Sequence, residues 1–297
     1  MPMQADAPIG ILGLGLIGTA FSERMIGAGI AVIGFDVDPA RCEKLRGNRG
    51  TVAASARDLA GHCRAIVIAV YSGAEAEAAF ADLESSPARP AIICTTTCAP
   101  GEIIRLAKRA ASAGIAFVEA PISGTSAEVR DGTATVLVAG DAAAIDAVDG
   151  LLDILCPQRR CIGKVGDASR AKLAINLILQ NNRAALAEGI ALAERMGLDG
   201  QTFLATARRS AAYSRVMDTK GEKMLNRDFR PQSRLAQTLR DAELILAEAA
   251  RHGLRLPVTE AQADLLRIAI TIAGPDSDSA AIIEAIRQQP DSVEDSR

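Results

Sequence analysis

Lys172 and Asn176 stand in the otherwise apolar run K-L-A-I-N-L-I-L. On a helix their i,i+4 spacing sets both side chains on one face. An amine in apolar surroundings loses hydration, its pKa falls, and the neutral form becomes available as a general base. The competing reading lays the aliphatic stem of Lys172 along apolar surface while its ammonium group reaches water or a carboxylate. Spacing by itself leaves both open.

A second constellation lies in residues 9–38, IGILGLGLIGTAFSERMIGAGIAVIGFDVD. An apolar run enters a glycine turn at Gly13, Gly15 and Gly18, and an amphipathic segment leads to a second apolar run ending at Asp36. That order, strand, turn, helix, strand and acid, is what a dinucleotide requires. The first glycine permits the tight turn, the second lets backbone N–H groups approach a pyrophosphate, and the third lets the helix lie close to the strand. Leu14, Leu16 and Ile17 fill the turn between the glycines, and the helix N-terminus supplies partial positive charge to phosphates. A carboxylate at Asp36 accepts hydrogen bonds from ribose hydroxyls and repels a 2′-phosphate, which predicts NAD over NADP, with NADP still possible.

These residues need a scaffold, and the rest of the first half supplies one. Apolar segments at 64–71, 91–94 and 115–119 alternate with helical patterns at 74–84 and 101–113, which predicts a doubly wound, mostly parallel sheet of the Rossmann type. Residues 133–139 and 160–162, separated by a helix over 141–155, are expected as antiparallel additions at the sheet edge. In open sheets of this kind ligands bind at the carboxyl ends of the strands. Those ends carry Val70-Tyr71-Ser72, Thr95-Thr96-Thr97 and the loop Glu119-Ala-Pro-Ile-Ser123-Gly124-Thr125. The threonines either offer hydroxyls to the cofactor or cap the turn before the next helix. The Pro-Ile-Ser-Gly loop is either a nest for a carboxylate or an ordinary turn.

Past Gly163-Lys164-Val165-Gly166-Asp167 the pattern becomes helical and stays so. One helix is predicted from there to Met196 with Gly197 as its stop, then helices over 201–212, 213–225, 234–252, 257–273 and 279–288. The expected organisation is a dinucleotide-binding domain over 1–163 and an all-helical substrate and dimerisation domain over 164–297, joined by the long helix. The polar tail 289–297, with Pro290, is expected to fray.

Composition narrows the function classes. A chain of 297 residues that is 49 % hydrophobic can bury a large core in about two domains. A net charge of -3 without a basic stripe argues against nucleic acid. The run 9–17 lacks a basic leader, and Glu23 and Arg24 interrupt any longer apolar span, so neither export nor membrane spanning is expected. Six cysteines without a C-x-x-C pair, and two histidines, predict reduced thiols in a cytoplasmic protein and no metal site.

Four blocks in order resemble the β-hydroxyacid dehydrogenase family, within the 6-phosphogluconate dehydrogenase superfamily. Its members include 3-hydroxyisobutyrate dehydrogenase and tartronate semialdehyde reductase. The blocks are Gly13, Gly15 and Gly18; Glu119-Ala-Pro-Ile-Ser123-Gly124-Thr125 with Gly132; Gly163, Gly166, Ala168, Lys172 and Asn176; and Asp228-Phe229 with Arg240-Asp241-Ala-Glu-Leu-Ile-Leu-Ala247. The resemblance spans almost the whole chain. It implies Lys172 as general acid/base, Ser123, Gly124 and Asn176 as holders of the substrate carboxylate or hydroxyl, and the Val70-Tyr71 and Thr96-Thr97 loops as the cofactor lining. A small hydroxyacid or its semialdehyde is the implied substrate, and a homodimer or homotetramer the implied assembly.

The chain departs from the family pattern at three positions. Thr125 stands where the family has a second glycine and joins the implied substrate loop. Arg130 falls in a loop usually lined by small residues, where it would narrow the site or add an anion contact. Arg240 replaces a lysine near the cofactor, keeping the charge but adding a rigid planar fork. An imine reductase on the same fold is the competing enzyme reading, against which the lysine itself argues. A non-catalytic dinucleotide-binding scaffold is the competing reading of another class.

Overall fold

The computed structural model describes residues 7–288, so the predicted fraying of 289–297 lies outside the described residues. The chain divides into two compact units, Met1–Lys172 and Leu173–Arg297.

In the first unit the apolar runs become strands. The elements are β1 (Ile9–Leu12), α1 (Leu16–Gly27), β2 (Val32–Phe35), α2 (Pro39–Gly47), β3 (Thr51–Val52), α3 (Ala56–His62), β4 (Ala65–Ile68) and α4 (Gly73–Glu84). They continue with β5 (Ala91–Cys94), α5 (Pro100–Ser112), β6 (Phe117–Glu119), β7 (Ile122–Ser123), α6 (Ser126–Asp131), β8 (Thr135–Gly140), α7 (Ala142–Leu155), β9 (Gln158–Gly163) and α8 (Asp167–Arg195). One sheet runs β3-β2-β1-β4-β5-β6-β8-β7, with β9 beside β8. β1 to β6 pair with one another in parallel, β8 is antiparallel to both β6 and β7, and β9 is parallel to β8.

Side chains alternate across a strand, so a strand apolar on every residue must be covered on both faces. Ile9, Ile11, Val67 and Ile93 join Phe21 and Met25 of α1 and Leu151 and Leu152 of α7 in one core. Leu12, Ile66, Ile68 and Ile92 join Leu59, Phe80 and Ile103 of α3, α4 and α5 in the other. This is the doubly wound sheet of the Rossmann type. The segment α2-β3-α3 has no counterpart in the sequence reading, because β3 is two residues long and α2 carries few apolar residues to mark a period.

The second unit is helical. The rest of α8 is followed by α9 (Gly200–Ala207), a π-helical turn (Met217–Gly221), α10 (Glu222–Leu225), α11 (Leu235–Arg251), α12 (Pro257–Ala273), a 3₁₀ turn (Ser279–Ile283) and α13 (Glu284–Arg287). The helix expected over 213–225 is thus broken by the π turn, and that over 279–288 opens in 3₁₀ form. One buried group serves both departures. The Asp278 carboxylate accepts from Lys220 Nζ at 2.7 and 2.9 Å, from the N–H groups of Gln232 and Ser233, and from Ala280 N–H at the start of the 3₁₀ turn. Burial lowers the pKa of Lys220 to about 8 against the pull of Asp278. No helix among the described residues is long and apolar enough to cross a membrane.

Candidate active site

The glycine turn between β1 and α1 has the form its sequence requires. Gly13 has φ +94°, and a Cβ there would meet the carbonyl oxygen of Ala69 at 2.5 Å. A Cβ on Gly18 would stand 1.8 Å from the Gly13 carbonyl oxygen, so only glycine lets α1 lie this close to the turn. At Gly15 a Cβ would meet nothing within 4 Å. Gly15 is the N-cap of α1 and no side chain caps it, which leaves open space over a helix N-terminus where a pyrophosphate fits.

Asp36 follows β2 and is buried. Its carboxylate accepts from Leu14 N–H at 2.6 Å and Asp38 N–H at 2.9 Å, and Arg41 Nη1 stands 3.3 Å away. The acid therefore braces the glycine turn. Arg41 escaped the sequence reading because nothing in its spacing ties it to Asp36.

The threonine hydroxyls have local partners. Thr95 Oγ1 donates to the Ile68 carbonyl at 2.9 Å, and Thr96 Oγ1 lies 3.2 Å from both the N–H and the carbonyl of Val70. They lash the end of β5 to the end of β4. The cap of α5 lies further on, where Glu102 accepts from Ala99 N–H at 2.8 Å. Thr97 is half-buried beside them, and Tyr71 is exposed at the start of α4, its N–H donating to Glu75 at 3.1 Å.

In the loop after β6, Ser123 ends β7 in register with Thr135 of β8, and Gly124 lies so close to Ala134 that a Cβ would stand 2.9 Å from it. Thr125 is the N-cap of α6, where its hydroxyl accepts from Glu128 N–H at 3.3 Å and the Glu128 carboxylate accepts from Thr125 N–H at 2.8 Å. Arg130 pairs with Glu23 of α1 at 2.5 Å, which aims its charge at that helix.

Lys172 lies on α8 and is 6 % exposed. The first turn of that helix is fastened to β6 by Glu119, whose carboxylate accepts from Gly166 N–H and Ser169 N–H, each at 2.6 Å, and from Ser169 Oγ. Burial raises the Glu119 pKa above the ordinary carboxylate value, opposed by the hydrogen bonds from Ser169 and Gly166. The clamp escaped sequence reasoning, which read Glu119 as the end of a strand and the first residue of the substrate loop. Its sole signal was an acid at the carboxyl end of a strand.

In the second unit Asn176, one turn after Lys172, is buried and donates from Nδ2 to Asp241 of α11 at 3.1 Å. Arg240 Nη2 donates to the other Asp241 oxygen at 2.7 Å. Asp241 thereby joins two residues, Asn176 and Arg240, that the sequence reading singled out separately.

Residues 8–165 match the family model for the NAD binding domain of 6-phosphogluconate dehydrogenase, and residues 166–286 match that for the NAD-binding domain of NADP-dependent 3-hydroxyisobutyrate dehydrogenase. The chain is 27 % identical over 283 residues to 2-hydroxy-3-oxopropionate reductase of Escherichia coli, covering 94 % of this chain and 96 % of that one. It is 26 % identical to glyoxylate/succinic semialdehyde reductase 1 of Arabidopsis thaliana, covering 94 % and 98 %. Among solved structures, a 3-hydroxyisobutyrate dehydrogenase from Salmonella typhimurium superposes with a TM-score of 0.86 at 25 % identity, covering 94 % of this chain and 99 % of that one. The glycine turn, the doubly wound sheet and both family models agree: the chain belongs to the β-hydroxyacid dehydrogenase family of NAD(P)-dependent oxidoreductases.

Proposed function

We propose that this protein moves a hydride between NAD and the hydroxyl-bearing carbon of a small β-hydroxyacid or its semialdehyde, with Lys172 as general acid/base. The relatives are named as reductases of glyoxylate, succinic semialdehyde and 2-hydroxy-3-oxopropionate, all small aldehydes bearing an acid group. The dinucleotide, when bound, accepts or donates the hydride. Gly13 to Gly18 and Asp36 hold its pyrophosphate and ribose, and Val70, Tyr71, Thr96, Thr97 and Arg240 line it. Ser123, Gly124 and Thr125 hold the substrate acid, and Asn176 holds its hydroxyl.

The work of the chain is proton transfer and orientation. Oxidation needs a base at the substrate hydroxyl, and reduction needs an acid at the carbonyl oxygen. Nζ of Lys172 takes that proton in one direction and returns it in the other. The observation that carries the reading is the burial of Lys172 one turn after a helix start held by Glu119, with Asn176 on the same face. A buried amine is a tunable acid or base, and a fixed helix gives it an address.

Residues 1–163 then serve as the dinucleotide domain and 164–297 as the substrate and assembly domain. A homodimer or homotetramer is supported by the exposed apolar side chains Ile178, Leu192 and Met196 of α8 and its end, and Val258 and Ile268 of α12. The direct test is turnover of NAD(H) against hydroxyacids and semialdehydes, repeated with Lys172→Ala. We expect kcat to fall about a hundredfold or more with NAD affinity little changed. A variant with near wild-type kcat would remove Lys172 from the chemistry.

A further inference from the structure

The loop after β6 carries an acid among the groups proposed to hold the substrate. Between residues 119 and 134 the sequence has one cation, Arg130, against Glu119, Glu128 and Asp131. Arg130 is given to Glu23 of α1, and Glu119 to the start of α8. The affinity of this loop for an anion therefore rests on its N–H and hydroxyl donors rather than on a charged side chain.

Glu128 draws on those donors. Its Oε2 accepts from Thr125 N–H at 2.8 Å and from Thr125 Oγ1 at 3.1 Å, while Thr125 Oγ1 accepts from Glu128 N–H at 3.3 Å. Both donors of Thr125 thus go to one carboxylate oxygen. A Cβ on Gly124 would stand 3.2 Å from that same oxygen, so the carboxylate lies along two successive residues of the loop. Glu128 is half-buried, where a charge is felt more strongly than in open water.

The loop also lies beside the helix of Lys172 within the first unit. Its first residue, Glu119, binds the N–H groups of Gly166 and Ser169. Ser123 pairs with Thr135 of β8, and two residues further along that strand Leu137, with Ala139, packs against Ala168 and Ala171 of α8. Lys172 is the next residue of that helix.

We infer that Glu128 sets substrate specificity by competing with the substrate's acid group for Thr125, so that the enzyme takes small neutral hydroxyaldehydes alongside small acids. This rests on the hydroxyacid reading above and widens its substrate class. An incoming carboxylate must share Thr125 N–H with a like charge or displace it, and either course weakens its binding. A hydroxyl of the same size meets no such repulsion and can donate to Glu128.

The test is the ratio of kcat/KM for glyoxylate to that for glycolaldehyde, which differ by a carboxylate against a hydroxymethyl group, with NADH saturating. Glutamine serves in a capping box as glutamate does, so Glu128→Gln removes the charge and keeps the cap. That variant is expected to raise the ratio about tenfold or more, through a lower KM for glyoxylate. Glu128→Ala, which loses charge and cap together, should raise it as well. An unchanged ratio in Glu128→Gln overturns the inference. So does a ratio that moves only in Glu128→Ala, together with its melting temperature, since Glu128 is then only a cap. Turnover of neither aldehyde is the failure of the broader reading. Calorimetric titration of the NAD complex with glycolate then decides this one: binding about tenfold or more tighter in Glu128→Gln than in wild type upholds it. Equal affinity, or no binding in either protein, overturns it.

Discussion

Glu119 is buried to the point where ionisation is costly, yet three donors from the first turn of α8 converge on its carboxylate. Hydrogen bonds to a charged acceptor contribute roughly 1.5–3 kcal/mol each, and losing the acceptor strands two buried N–H groups. Glu119→Ala is therefore expected to destabilise the protein by about 2–4 kcal/mol in urea unfolding and to lower kcat more than it raises KM, because Lys172 follows Ser169 by one turn. The milder Glu119→Gln retains one acceptor and should retain part of kcat. The pH dependence has a definite sign. A carboxyl whose folded pKa is raised binds more protons folded than unfolded between about 4.3 and its raised value, so its contribution to stability falls as pH climbs through that window. Unfolding curves across that range should show the fall in wild type and lack it in Glu119→Gln.

Asp36 makes a second prediction at the scale of single residues. Its carboxylate accepts from Leu14 N–H, and Arg41 already stands 3.3 Å away. Asp36→Ser removes the group that repels a 2′-phosphate and leaves the cation that would attract one. The ratio of kcat/KM for NAD to that for NADP is expected to fall by tenfold or more. A wild-type enzyme that already prefers NADP would refute the ribose reading of Asp36.

At the scale of elements, α1 and the π turn are held by contacts that admit little substitution. A Cβ on Gly18 would sit 1.8 Å from the Gly13 carbonyl oxygen, so Gly18→Ala must push α1 away from the strand end. Loss of NAD affinity by more than tenfold, read by fluorescence titration, is the expected result. The reason these elements differ in legibility is physical. β1 and α1 announce themselves through runs and spacing contained in thirty residues, whereas the π turn at Met217–Gly221 is joined to Asp278 from the far end of the chain. Local periodicity predicts an unbroken helix there, and tertiary pairing overrides it. The same holds for Thr95 and Thr96. Their composition suits a cap or a ligand contact, and the hydrogen bonds that engage them come from the neighbouring strand.

At the scale of the whole molecule, the exposed apolar side chains of α8 and α12 predict association with a second copy. Equilibrium sedimentation at micromolar concentration is expected to give a dimer or tetramer, and a monomer would overturn that reading. Each half of the chain matches a family model, one over 8–165 and the other over 166–286, so the likeness extends over both units. The sequence by itself determined the alternating sheet domain, the helical second half, the glycine turn and the i,i+4 spacing of Lys172 and Asn176 on one helix, because each is written in residues close along the chain. Only the tertiary structure decided that Glu119 reaches across some fifty residues to hold the start of α8, that Thr125 closes a helix cap, and that Arg130 turns to Glu23. It alone buried Gln180 and Arg183 on α8, with Gln180 Oε1 and Arg183 Nε lacking a hydrogen-bond partner among the described residues. Contacts between distant residues depend on which faces meet after folding, and no local period records them.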